Sequence, residues 1–268
     1  MRRAHLIAVV LLVLIFSATL AAQLLAPANY ATQFRDAPNA RPSARFLLGT
    51  DELGRDRLSR LLYGGRVSLL LAPAAALLAT ALAACIGTVA GYLGGFWEKS
   101  TMAAVDMFLS FPWLFLLITV RALLPLNVAP AVSVLVTFAL LGLLGWAASA
   151  RVVCAGARAL RGSGFMLHAR ALGCRPWRLV AVQLAPNMRA ALGAQFLISI
   201  PVFVLAEANL SMLGLGVAEP LPSLGGLMRE LENFSSLGSQ PWRLAPLAML
   251  IACVGAFQIL VSGREVQS

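Results

Sequence analysis

Charge is scarce in this sequence. Charged residues fill 12% of its 268 positions, about half the share a soluble domain carries. Lysine is reduced to Lys99, so arginine supplies nearly all of the net charge of +10. Cys85, Cys154, Cys174 and Cys253 form no C-x-x-C pair, which argues against a disulfide framework and a zinc site. The loop ending in Gly-Lys-Ser/Thr that cradles nucleotide phosphates is missing, since Lys99 precedes Ser100 but follows Glu98. Neither a Gly-x-Ser-x-Gly elbow nor a His-Glu-x-x-His pair occurs, which argues against a hydrolase. No basic run is interleaved with aromatics, which speaks against nucleic acid as a partner.

What is there is apolar. Hydrophobic residues make up 60% of the chain and mean hydropathy is +0.83. Several runs reach the roughly 20 residues that a membrane crossing needs. Backbone groups in lipid must be paired internally, so these runs are expected to be helices. They do not alternate as barrel strands would. The expected fold class is an all-α integral membrane protein with six transmembrane helices. The first covers about Ala4–Leu25 behind Arg2 and Arg3. It is long for the core of a signal peptide, which favours a retained anchor. The others fall within Val67–Trp97, Met107–Leu124, Ala131–Ala150, Ala190–Val217 and Leu244–Ser262. The expected organisation is an anchor over 1–26, a loop over 27–66 ending in an amphipathic helix, a five-helix core over 67–263 and a tail over 264–268. That helix rests on the spacing of Leu58, Leu61 and Leu62.

Six crossings put both termini on one side of the membrane, with Arg2, Arg3 and the segment Arg151–Arg189. That segment carries Arg151, Arg158, Arg161, Arg170, Arg175, Arg178 and Arg189 without an acid, the cytoplasmic pattern. The 27–66 loop then lies outside; it is also arginine-rich, but its acids count little. Within 152–188 the sequence predicts a helix over Gly162–Leu172 with Phe165, Met166, Ala169 and Leu172 on one face. Gly173 suits a left-handed cap. Pro176 suits the first turn of a second helix whose apolar face is Trp177, Val180, Ala181 and Leu184, limited by Pro186. Such a pair either rests on lipid headgroups, which favour arginine, or docks another cytoplasmic protein.

Motifs along the chain decide between these. Ala169-Arg170-Ala171-Leu172-Gly173, followed by Leu184-Ala185-Pro186-Asn187, resembles the "EAA" loop of ABC importer permeases. Gly49-Thr50-Asp51-Glu52-Leu53-Gly54-Arg55-Asp56 through Ser59-Arg60 resembles the segment after the first span in dipeptide, oligopeptide and nickel permeases of the DppC/OppC type. Asp106 through Phe111-Pro112, and Leu205-Ala206-Glu207-Ala208 through Val217, match as well. The chain departs from the loop pattern at Leu167 and His168, where the family has Glu and Ala, and at Ala185.

The resemblance implies a permease subunit of a bacterial inner membrane, not an enzyme, with both termini cytoplasmic. It implies a homologous sister permease, two cytoplasmic ATPases or one fused ATPase, and an extracytoplasmic binding protein. ATP and magnesium would be bound by the ATPases, and no cofactor by this chain. The first loop helix would be the coupling helix, seated in an ATPase cleft. The implied cargo is a peptide, with nickel or another small solute as the alternative.

Further residues carry expectations from their position. Glu207 is a carboxylate inside a span, a functional candidate by default. With Asn209 it either lines the pathway or is satisfied at the sister interface, and a proton-coupled transporter would use Glu207 as its carrier. Asp106 and Arg151 are placed to pair. Arg121 is expected to snorkel at the outer interface. His168, alone in its loop, reads as a surface residue. For Arg55, Asp56, Arg57 and Arg60, local salt bridging is favoured over contact with a partner.

Overall fold

The computed structural model describes residues 2–125, 128–232, 238 and 240–265. Residues 266–268 of the expected tail lie outside the described residues. Those described are mainly helical, with two isolated β-bridges, Gln33 with Arg55 and Thr50 with Asp56. In chain order the main helices are α1 Arg2–Leu20, α2 Arg57–Leu93, α3 Gly95–Ser110, α4 Trp113–Leu123, α5 Pro130–Leu144, α6 Ala147–Arg161, α7 Gly164–Ala171, α8 Arg189–Met212 and α9 Ala245–Glu265. Five stretches are long and apolar enough to cross a membrane, with α5 and α6 counted as the single stretch Pro130–Arg161. The pair α3 and α4, bent by 76° at Phe111-Pro112, makes a sixth if counted as one span.

Two elements differ from the sequence reading. The amphipathic helix expected before span two is not separate: α2 runs unbroken through Leu93. Asp56 sets its start by accepting from the Ser59 N–H at 2.7 Å, an N-cap bond to the third residue of the helix. Leu58, Leu61 and Leu62 then continue into the span with no proline between. The third span is broken because Pro112 has no N–H to continue the ladder.

The chain divides into two units. One comprises Met1–Ala72, Arg121–Phe138 and Pro201–Ser268; the other comprises Pro73–Val120 and Ala139–Ile200. In the first unit α1 packs along α9, with Phe16 and Phe257 edge to face at 6.5 Å. The 27–56 segment is held by Tyr30 against Tyr63 and Phe34 against Phe46, both at 5.1 Å between centroids. The Arg45 guanidinium stacks over Phe34 and Phe46. In the second unit α3 packs against α6. Ala75, Ala76, Ala79 and Ala83 of α2 recur at helical spacing and are buried; such small residues let helix backbones approach closely in a membrane. Its core gathers Ala83, Ala150, Val153 and Ala157 with Met166, Leu179, Leu184 and Met188.

Candidate functional site

In the first unit, most of the polar residues and both glycines of the Gly49–Arg60 motif have a local structural task. Thr50 donates its hydroxyl to Ala37 O and accepts from the Ala40 N–H. Asp51 accepts from the Leu53 and Arg55 N–H groups through one oxygen and from Arg55 Nε at 2.6 Å through the other. Gly49 and Gly54 are left-handed. A Cβ on Gly54 would stand 2.2 Å from Phe34 O, so glycine is required there. Ser59 donates to Asp56 and accepts from the Ala28 N–H. The local bridging expected of this segment is present, and the same arginines reach much further along the chain. Arg55 and Arg60 both grip Glu219, at 2.8 and 2.9 Å, and Arg57 pairs with Glu230. Between these segments lies an open cleft of about 530 Å³, lined by Asp51, Glu52, Arg60, Glu219, Arg229 and Glu232 among others.

The ion pairs set the charge states here. Burial works against the Arg55 cation, but hydrogen bonding and attraction from Asp51, then Glu219, outweigh it and hold the guanidinium above its ordinary value. Partial burial would raise the Glu219 carboxyl, yet the charge and hydrogen bond of Arg60, followed by those of Arg55, hold it below its ordinary range.

Glu207 is fully buried in the same unit. Ser211 donates to one of its oxygens at 2.6 Å; Ser68 and the Gly225 N–H donate to the other at 3.1 and 3.4 Å. Ser68 in turn accepts from the Leu224 N–H at 3.0 Å. A Cβ on Gly225 would meet Ala208 Cα at 2.5 Å, so the short helix Leu224–Met228 is pressed directly onto α8. Glu207 is thus satisfied within its own chain, and it ties α2, α8 and the 223–228 segment together. Asn209 is exposed on the same helix. Arg121 departs from expectation: it is 1% exposed, not snorkelling. Ser133 accepts from its Nη2 at 3.2 Å, and that hydroxyl also contacts Gly216 O and the Ala218 N–H. A polar niche inside the fold replaces the expected interface with water.

In the second unit, Asp106 and Arg151 form the expected ion pair. Glu98 and Arg158 form another between the same helices at 3.0 Å. The loop helix α7 is shorter than expected, and Gly173 is left-handed as expected, its N–H bonding Arg170 O at 2.9 Å. The apolar faces need correction. Met166 and Ala169 are buried, but Phe165 is 38% and Leu172 76% exposed. In the second stretch Leu179 and Leu184 are buried while Trp177 is 65% exposed. Residues three apart, Met166 and Ala169, share the inward stripe, and Leu172 lies past the helix end. Leu179–Leu184 is a π-helical stretch, with the Ala185 N–H bonding Val180 O five residues back. It sits just ahead of Pro186, which lacks the N–H that regular spacing needs. Arg170 stacks on Tyr92 at 5.2 Å; Ala171, Pro176, Pro186 and His168 complete the loop, with His168 exposed.

The sequence reading missed Ser68, Ser133, Ser211, Glu219 and Glu230 as partners. The serines were visible as isolated hydroxyls inside apolar runs. The two acids pair with arginines more than 150 positions away, a separation that no local pattern reports.

Residues 83–263 match the family described as binding-protein-dependent transport system inner membrane component. The dipeptide transport system permease protein DppC of Bacillus subtilis is 29% identical over 95% of this chain and 78% of its own. The oligopeptide transport system permease protein OppC of Mycobacterium bovis is 30% identical over 93% and 84%. OppC of Bacillus subtilis is 28% identical over 96% and 81%. The match spans the C-terminal part of α2, all of α3 to α8 and nearly all of α9, together with the loop that holds α7. This chain belongs to the family of inner membrane components of binding-protein-dependent transport systems.

Proposed function

We propose that this chain is one of two permease subunits of an ATP-driven peptide importer, forming half of the translocation pathway. The relatives' names, dipeptide and oligopeptide transport permeases, support the cargo class. The carrying observation for coupling is the form of α7. Met166 and Ala169 root it in a buried core, while Phe165, Leu167, Leu172 and Trp177 stand exposed around it. A rooted helix with an apolar outer rim suits a cleft on a cytoplasmic ATPase that binds ATP and magnesium. ATPase closure would then move α7 and the spans α6 and α8 that flank it, with ATP binding supplying the bias between two arrangements. In this reading 152–188 and both termini are cytoplasmic, the chain sits in the bacterial inner membrane, and the cleft beside Glu219 faces outward. There a binding protein would deliver cargo to this subunit and its sister.

The test is Leu172→Asp combined with Trp177→Asp in the reconstituted importer. Both side chains are exposed, so insertion and assembly of the permease pair should persist. Peptide uptake should fall at least tenfold, with loss of binding-protein-stimulated ATP hydrolysis. Normal uptake by this variant would refute the docking role.

A further inference from the structure

We infer that the first unit holds a binding site for one monatomic anion of halide size, in the partly enclosed cavity between Arg57, Arg60 and Trp242. This site is independent of the transport reading. The cavity has room for about one water-sized particle. Its wall brings together the start of α2 and the Pro241–Leu244 turn ahead of α9, segments far apart in sequence.

Among the described residues, the donors on this wall exceed the acceptors. Arg57 gives Nε to Thr50 O at 2.9 Å and Nη1 to Glu230, leaving Nη2 buried without an acceptor. Arg60, 2% exposed, gives Nη2 to Glu219, leaving Nε buried without an acceptor. The indole Nε1 of Trp242 is likewise buried without one. Guanidinium and indole N–H groups donate and never accept. A water molecule has two lone pairs, so it would leave one of these donors unmatched. A halide accepts from all of them at once. Phosphate and sulfate are too large for the space.

The experiment uses the full chain in its purified complex. Thermal unfolding is followed in sodium gluconate, which is then exchanged stepwise for sodium chloride or bromide at constant ionic strength. The expected result is a saturable rise in the unfolding midpoint with both halides. Trp242→Phe keeps an aromatic ring in the wall and removes one donor. It should raise the half-saturating chloride concentration about tenfold, the loss expected for one hydrogen bond to a charged group. Bromide should quench tryptophan emission more in the parent than in Trp242→Phe. A midpoint indifferent to halide, or equal halide dependence in both proteins, would mean that the cavity holds water alone or that the ion sits elsewhere, and would overturn the assignment.

Discussion

A carboxylate that accepts from Ser68, Ser211 and the Gly225 N–H cannot be replaced by a side chain that only fills space. Glu207→Leu should leave buried donors without acceptors, each costing about 1–3 kcal/mol. The thermal midpoint in detergent should drop clearly, and less for Glu207→Gln, whose amide oxygen still accepts. Equal midpoints for parent and Glu207→Leu would remove Glu207 from its tethering role. Glu219 has a different signature because its carboxyl lies below its ordinary range. A lowered carboxyl stabilises the fold fully above its unfolded value, about 4.3, and that stabilisation is lost as pH falls through the lowered folded value. The Glu219 side chain is 59% exposed, so the effect is modest, about 0–1 kcal/mol. Thermal midpoints of parent and Glu219→Gln should therefore differ by a constant amount above about pH 5 and converge in stronger acid. A gap that widens on acidification would reverse the sign.

Elements carried most of what was legible in the sequence. Long apolar runs located the crossings, because lipid leaves a backbone few options. Gly173 announced its own left-handed turn. The break at Phe111-Pro112 was less readable, since the apolar run continues through it and hydropathy does not register a lost N–H. The inner face of α7 was misread at its ends, because Phe165 and Leu172 look as apolar as Met166 and only packing separates them. The α3–α6 contact was half legible: Asp106 and Arg151 were foreseen, Glu98 and Arg158 were not. The Asp106–Arg151 pair is exposed on both sides, so its contribution to stability is small, about 0–1 kcal/mol. Its effect belongs to activity. Asp106→Arg and Arg151→Asp should each reduce uptake, and the double exchange should recover most of it. No recovery would show that the two residues act separately.

For the molecule as a whole, the bend between α3 and α4 has a consequence for life in the cell. At about 1.5 Å per residue, the 16 residues of α3 and the 11 of α4 each fall short of the roughly 30 Å hydrocarbon layer. Counted as one span, the pair would place the interruption inside the layer, where irregular backbone is tolerated only against protein or water. Met107, Phe111 and Phe115 around it are 70%, 57% and 69% exposed on the chain alone. If the chain pairs with a sister permease as proposed, a subunit translated alone would hold this joint open to acyl chains and be an early target for membrane proteases. Pulse-chase labelling should show a several-fold shorter half-life for the orphan than for the co-expressed pair. The stoichiometry of the two halves would then be enforced by turnover as well as by synthesis.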